Sequence, residues 1–302
     1  MSNRVQDTSS FDSPARGLTR SYSSPRSLFG IVMTILAGAC LVIALIPLFA
    51  VLIYVIRQGI GRLDVNLLTK LPPPPGLKGG GVGNAILGTL ITVGIGTLIS
   101  LPFGVFAAVY LSEFSSGKVS RWIRFATNVL AGVPSIIAGI FAYGLIVATT
   151  GKFSAFAGGV ALAVLMLPTI IRTTDEALQI VPQDVRWASV GVGASNYQTV
   201  LKVVIPAAMP AIITGVTLAI ARAAGETAPL IFTALFSNFW PKLSPQTLWN
   251  QPIATLSVLI YNFATVPFPA QQELAWAASF ILVFMILLTS ILARWATRRQ
   301  IY

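Results

Sequence analysis

Histidine is missing from all 302 residues, cysteine occurs once, and acidic side chains number nine. Each shortage closes a class of chemistry. Without imidazole there is no His-containing zinc site, and no side chain whose ordinary charge change falls near neutral pH. A single cysteine, Cys40, cannot form a disulfide within the chain, and its position in an apolar run marks it as core packing. Charged residues of both signs make up only 10% of the chain, far below the rough quarter typical of a soluble domain. No metal and no other cofactor is expected.

Hydrocarbon side chains take the place of what is missing. Hydrophobic residues account for 55% of the chain and the mean hydropathy is +0.80. Apolar runs of about 20 residues recur, long enough to cross roughly 30 Å of hydrocarbon as helices that satisfy their own backbone hydrogen bonds. The expected fold is an all-α membrane protein with six transmembrane helices, over residues 29–56, 84–111, 125–150, 153–174, 206–236 and 273–293. The net charge of +11 could point to nucleic acid. The basic residues sit between the apolar runs, however, where lipid head groups and topology account for them, so the partner they imply is a bilayer and no nucleic acid.

Residues 1–28 are rich in Ser and Arg and lack apolar periodicity, which predicts a disordered cytoplasmic tail. The run after it is too long for the core of a cleaved signal and should stay as an anchor, opening a transmembrane domain over residues 29–301. With the N-terminus inside, thirteen of the twenty Lys and Arg lie on the cytoplasmic side, counting Arg172 at the inner end of the fourth span, and six on the outer side, leaving only Arg222 deep within a span. That bias places both termini in the cytoplasm. Residues 57–83, with the run Pro72–Pro75, and residues 237–272 are then outer loops, and residues 175–205 form a long inner loop. Trp240 and Trp249 suit interfacial anchors, and Asp175 and Glu176 suit solvation of the end of the fourth span. Pro134-Ser135 suits a local adjustment near the start of the third span.

The inner loop holds two short helical patterns, residues 184–192 and 195–204, separated by Gly193 as a C-terminal cap and Ser195 as an N-cap. Two short helices with a glycine break make a rigid peg. The fifth span follows, and it carries Arg222 and Glu226 four residues apart, on one face of a helix. Arg222 falls sixteen residues after Pro206, about 24 Å along the helix axis. Each charge at such a depth costs roughly 2.5–3.5 kcal/mol even on lenient insertion scales. Two readings account for keeping them: a self-neutralising staple between helices, or a pair that lines a polar pathway.

Trp187-Ala188-Ser189, then Gly193 after three residues, then Val203-x-Ile205-Pro206 after nine more, resembles the EAA loop of the type I ABC-importer permease family. The match lies in Ala188, Gly193, Val203, Ile205 and Pro206, while Trp187 stands where the family has Glu and Ser189 where it has Ala. The run from Ala219 to Trp240, AIARAAGETAPLIFTALFSNFW, is similar to the A-type permeases of phosphate importers. Gly83–Glu113 and Leu130–Gly144 support this, and Ala228-Pro229-Leu230 differs from the Met-Ala that follows Gly-Glu-Thr in C-type sisters. The resemblance covers residues 84 to the C-terminus and leaves the tail and the Pro72–Pro75 run unmatched.

The resemblance implies a multi-pass subunit of the bacterial plasma (inner) membrane forming half of an ATP-driven phosphate pathway. Its implied partners are a C-type permease as heterodimer mate, a dimer of ATP-binding subunits and an external phosphate-binding protein. Arg222, Glu226 and Thr227 would lie on the substrate pathway. Trp187, Ala188, Ser189, Gly193, Ala194 and Pro206 would carry the coupling to the ATPase. No nucleotide site of its own is expected, because Gly117-Lys118 and Gly151-Lys152 lack the upstream Gly and following Ser/Thr of a P-loop. The alternatives are an importer of another oxyanion such as sulfate or molybdate, a secondary transporter, which would need repeats that the sequence lacks, and a non-transporting scaffold.

Overall fold

A computed structural model describes residues 25–115 and 117–298 of the chain. The tail expectation for residues 1–24 therefore lies outside the described residues. Among those described, every regular element is helical. The order begins α1 (Pro25–Ile60), α2 (Val65–Thr69), α3 (Gly83–Val109), α4 (Lys118–Ala131), α5 (Ser135–Ala142), α6 (Ala148–Thr150) and α7 (Ala155–Ile180). It continues with α8 (Gln183–Gly191), α9 (Asn196–Thr199), α10 (Ile205–Gly225), α11 (Ala228–Thr233), α12 (Pro245–Asn250), α13 (Leu256–Thr265) and α14 (Pro269–Arg298). Single π turns at Tyr110–Phe114, Tyr143–Val147 and Val200–Val204 interrupt the α-helical hydrogen bonding.

Two compact units result, one ending at Tyr54 and one starting at Val55. The first is the apolar body of α1, whose side chains are exposed along almost its whole length. Cys40 is exposed with them, so it faces the surroundings of the helix and is not the core residue expected. A helix that is apolar all round and exposed all round is suited to lipid.

The second unit is built on α3 and α7, which pack along most of their length through small residues. Gly96 lies against Leu162, Gly159 against Ile95, and Gly104 against Ile170. With no net hydrophobic drive between helices in lipid, close backbone approach over such residues supplies the attraction. α10 packs on α7 where Gly215 meets the side chain of Thr173. On the other side, Gly88 of α3 sits under the backbone carbonyl of Ala254, closer than any Cβ could tolerate. Gly94, on the same helix, has nothing within 4 Å. Gly88→Ala should therefore destabilise by about 1–3 kcal/mol through overpacking, while Gly94→Ala leaves stability near wild type. Thermal melts of the detergent-solubilised protein, compared between the two variants, check this.

The structure departs from the sequence expectation at four places. The third apolar run is not one straight helix: α4 and the helical stretch from Ser135 to Thr150 meet at 102°. Pro134 has no N–H to continue α4 and disfavours helical geometry at Val133, so the chain turns and Pro134 becomes the N-cap of α5. The fifth run, expected over residues 206–236, ends at Gly225, and Glu226 is extended (φ −71°, ψ 130°) before the short α11. At its other end α10 runs back through the π turn into α9, so the second half of the peg continues directly into this span.

The expected outer loop 237–272 contains α13, whose Leu256, Leu259 and Phe263 are core residues packed with Leu274 and Ile281 of α14. An apolar helix of ten residues is too short to cross hydrocarbon but long enough to be buried in the bundle. Thr89 fixes its start by accepting from the Leu256 N–H at 2.8 Å. Finally, α7 runs to Ile180, which draws Asp175 and Glu176 inside the helix. Asp175 is buried and paired with Arg124 at 2.6 Å, rather than solvating a helix end. Glu176 pairs with Arg172 one turn back, at 3.0 Å, and remains exposed. By length and composition, five helices of the described residues can cross a membrane, or six if the bent pair counts as one span.

In the segment after α1, the N-terminus of α2 is capped by Asp64, which accepts from the Leu67 N–H at 2.7 Å and from the Asn66 side chain at 3.1 Å. These bonds, the Asn66 amide first, hold the Asp64 carboxyl below its ordinary value. Because the ionised form is the one favoured, the cap is complete at neutral pH and is lost as pH falls through that lowered value. Trp249 on α12, expected as an interfacial anchor, stacks on Phe156 of α7 with ring centroids 3.7 Å apart.

Candidate functional site

Two constellations carry the chemistry. The first is the break between α10 and α11. Arg222 stands on the last turn of α10, and Glu226 is the residue on which that helix stops. Their contact is one-armed and loose, Nε to Oε1 at 3.5 Å, with the Arg222 side chain 55% exposed and that of Glu226 17%. Among the described residues the guanidinium has no other polar partner, so most of its donor fork is free for something outside this chain.

The surrounding backbone explains why the chain breaks here. Pro229 lies in the first turn of α11, where its missing N–H costs nothing. α11 leans on α5 so closely that a Cβ on Gly139 would come within 2.5 Å of Pro229 Cα. Ser257 of α13 donates to the Glu226 carbonyl at 2.9 Å, which satisfies a backbone group that the helix has released. Thr227, half-buried, follows as the N-cap residue of α11. Non-helical backbone at membrane depth is tolerated where protein or a polar cavity surrounds it. The structure thus brings Arg222, Glu226 and Thr227 together, although Glu226 is not on a continuous helix as its spacing suggested.

The second constellation is the peg. α8 ends at Gly191, and Gly193 takes the left-handed conformation (φ +91°), which a side chain would resist. The Gly193 N–H reaches the Val190 carbonyl at 2.9 Å and the Ala194 N–H reaches that of Ser189 at 3.2 Å. Ser195 and Gln198 then form a capping box over α9: the Ser195 hydroxyl accepts from the Gln198 N–H, and the Gln198 side chain accepts from the Ser195 N–H. Ser189 hydrogen-bonds Thr199 across the peg at 2.9 Å. It braces the two short helices together and points away from the outer surface. Trp187 and Ala188 are exposed instead, with Val190 and Val192 beside them. Pro206 lies in the first turn of α10 at the root of the peg.

Reasoning from the sequence alone missed Arg186 and Glu113. They form a shielded ion pair at 2.8 Å between α8 and the π turn after α3. Nothing in the spacing of two residues 73 positions apart could reveal the contact. The only local hint is a carboxylate left at the end of an apolar run.

The sequence matches the family described as binding-protein-dependent transport system inner membrane component over residues 100–302. A phosphate transport system permease protein PstA of Yersinia pestis is 39% identical over 264 residues, covering 87% of this chain and 88% of the relative. The PstA of Haemophilus influenzae is 42% identical over 258 residues, covering 84% and 88%. PstA 1 of Mycobacterium tuberculosis is 37% identical over 270 residues, covering 86% of this chain. Among solved structures, a chain of the inward-facing MetNI methionine ABC transporter aligns with a TM-score of 0.58 at 22% identity, over 74% of this chain and 95% of its own. A chain of a bacterial alginate ABC transporter aligns with a TM-score of 0.63 at 13% identity, over 92% and 98%. At such identities the two structures speak for the fold alone.

Proposed function

Because the chain belongs to the family of binding-protein-dependent transport system inner membrane components, we propose how its residues divide the work of a phosphate importer. The protein is a permease subunit of a phosphate ABC importer. It works in the bacterial plasma membrane with both termini in the cytoplasm, and with residues 29–301 as its permease domain. It pairs with a C-type permease, so that each contributes half of the pathway. A dimer of ATP-binding subunits docks from the cytoplasm, and an external phosphate-binding protein delivers the anion to the outer face.

The observation that carries the pathway assignment is the free donor fork of Arg222 beside a helix break. A guanidinium at membrane depth with one loose partner is expensive to keep and is shaped to receive two oxygens of a tetrahedral anion. Glu226 neutralises the arginine when no anion is present, and Thr227 adds a hydroxyl at the same break. The contact must be transient, since an anion bound tightly at midpoint would not leave.

Coupling falls to the peg. Trp187 and Ala188 form its outer surface, while Ser189, Gly193 and Ala194 fix the angle between its two helices. Pro206 marks where α10 takes over. When ATP closes the two ATPase subunits, the peg moves with them and the permease pair rocks to open its cavity to the other side. This chain adds no nucleotide site and no cofactor; hydrolysis belongs to the partner.

The test is uptake of labelled inorganic phosphate by cells lacking this chain. Uptake at micromolar phosphate should collapse and return when the chain is restored, with no change in sulfate or molybdate uptake. Loss of sulfate or molybdate uptake with phosphate uptake intact would overturn the choice of anion.

A further inference from the structure

Arg186 ties three pieces of the chain into one knot. Its guanidinium donates twice to Glu113, from Nη2 to Oε1 at 2.8 Å and from Nε to Oε2 at 3.3 Å. It also donates to the last carbonyls of α7, reaching Leu178 at 2.9 Å and Val181 as well. Both charged side chains are largely out of solvent, 13% exposed for Arg186 and 8% for Glu113. Every other ion pair among the described residues keeps at least one partner more open.

The elements joined are the ones a lever would need. Glu113 lies in the π turn that closes α3, Leu178 and Val181 end α7, and Arg186 is part of α8 in the peg. A second joint repeats the connection: Phe114, from the same π turn, stacks on Tyr197 of α9 with ring centroids 5.0 Å apart. A second π turn, Val200–Val204, roots the other leg of the peg in α10. Such turns are uncommon and recur at functional positions. A forked, charge-assisted contact that also caps orphan helix carbonyls resists shear in a way that a solvated surface pair does not. Turning the peg without turning the ends of α3 and α7 would strand a charge in a shielded place.

We infer that Glu113 and Arg186 form a latch that yokes the peg to α3 and α7, so that its displacement reaches the spans and is not lost in the flanking turns. The inference rests on the proposed docking of the peg to an ATPase and adds the transmission path. Both are positioning residues; neither touches phosphate or nucleotide.

The experiment uses the full complex in proteoliposomes, with ATP hydrolysis and delivery of labelled inorganic phosphate measured together. The readout is ATP hydrolysed per phosphate delivered. Arg186→Gln and Glu113→Gln should raise that ratio by about 10-fold, within the usual range of coupling between sites, with hydrolysis near wild type. Arg186→Lys keeps the charge but loses the fork, and it gives the same measurement if the glutamine variant does not assemble. In a Cys40→Ser background, the double variant Glu113→Cys/Arg186→Cys should be uncoupled until a short bismaleimide joins the two thiols and lowers the ratio again. A ratio that stays at the wild-type value in the variants, whether or not both rates fall in step, overturns the latch. A wild-type complex that hydrolyses ATP without delivering phosphate would instead overturn the functional reading beneath it.

Discussion

Arg222→Gln is expected to lower energised phosphate uptake by about 10- to 150-fold, the span of losing one charge-assisted hydrogen bond of about 1.5–3 kcal/mol. Complex assembly and ATP hydrolysis should stay near wild type. The reason lies in what the side chain already lacks. Its one partner is held at 3.5 Å and more than half of its surface is open, so removing it breaks little that holds this chain together. Glu226→Gln should cost less, about 3- to 10-fold, because it removes the neutraliser and not the anion's own contact. Arg222→Lys should fall between wild type and Arg222→Gln, keeping the charge and losing the two-pronged geometry. A staple predicts no such order. Both partners of a staple would matter equally, and the loss would appear as failed assembly with surviving complexes still transporting. Uptake and assembly measured on the same preparations separate the two, and near-normal uptake in both glutamine variants would remove Arg222 and Glu226 from the pathway.

How much of this was legible in the sequence depended on whether a residue's partner was near it along the chain. The peg could be read because its signals are local: Gly193 at a helix end and Ser195 at a helix start. The charged pair in the fifth apolar run could be read for the same reason, since Arg222 and Glu226 are four residues apart. What spacing could not show is that the helix stops between them. Pro229 sits where a straight helix would tolerate a kink, and only the closeness of α11 to Gly139 on α5 and the Ser257 bond from α13 make a break the better solution. The same limit hid α13 itself. Ten mostly apolar residues between prolines look like a loop until Thr89 and α14 are placed beside them. Asp175 looked solvated because its partner, Arg124, is 51 positions away.

The bend at Pro134 has consequences for the third run. α4 carries Lys118, Arg121 and Arg124 in its first two turns, and Lys118 shares a helix face with Trp122, Phe125 and Val129, all three of them exposed. The chain turns by 102° between α4 and the stretch that opens with α5, so the two do not form one straight span. Counting apolar residues from Phe125 onward merges the end of α4 with α5, two elements that Pro134 separates.

Trp187→Ala should weaken attachment of the ATP-binding subunit to the permease pair by about 30-fold or more, the loss expected for a central tryptophan anchor worth about 2–4 kcal/mol. Trp187 is 68% exposed on α8, with Val192 beside it at 87%, and its ring meets no other ring among the described residues. An indole exposed together with Val190 and Val192 is costly to leave in water, and a groove that covers it recovers that cost. Its truncation should leave the peg intact, since the elements that fix the peg are Gly193, the Ser195–Gln198 box and the Ser189–Thr199 bond. Trp187→Glu restores the residue usual in the family pattern, yet it should bind no better than the alanine variant. A carboxylate would be desolvated in a groove shaped for an aromatic ring, and burial of an unpaired charge costs more than the cavity left by alanine. Titration of the labelled ATPase subunit onto the detergent-solubilised permease pair measures both variants. Wild-type affinity in Trp187→Ala would take this side chain out of the contact, whereas recovery by Trp187→Glu would show that a cation waits in the partner's groove and that the tryptophan is a tolerated replacement, not an anchor.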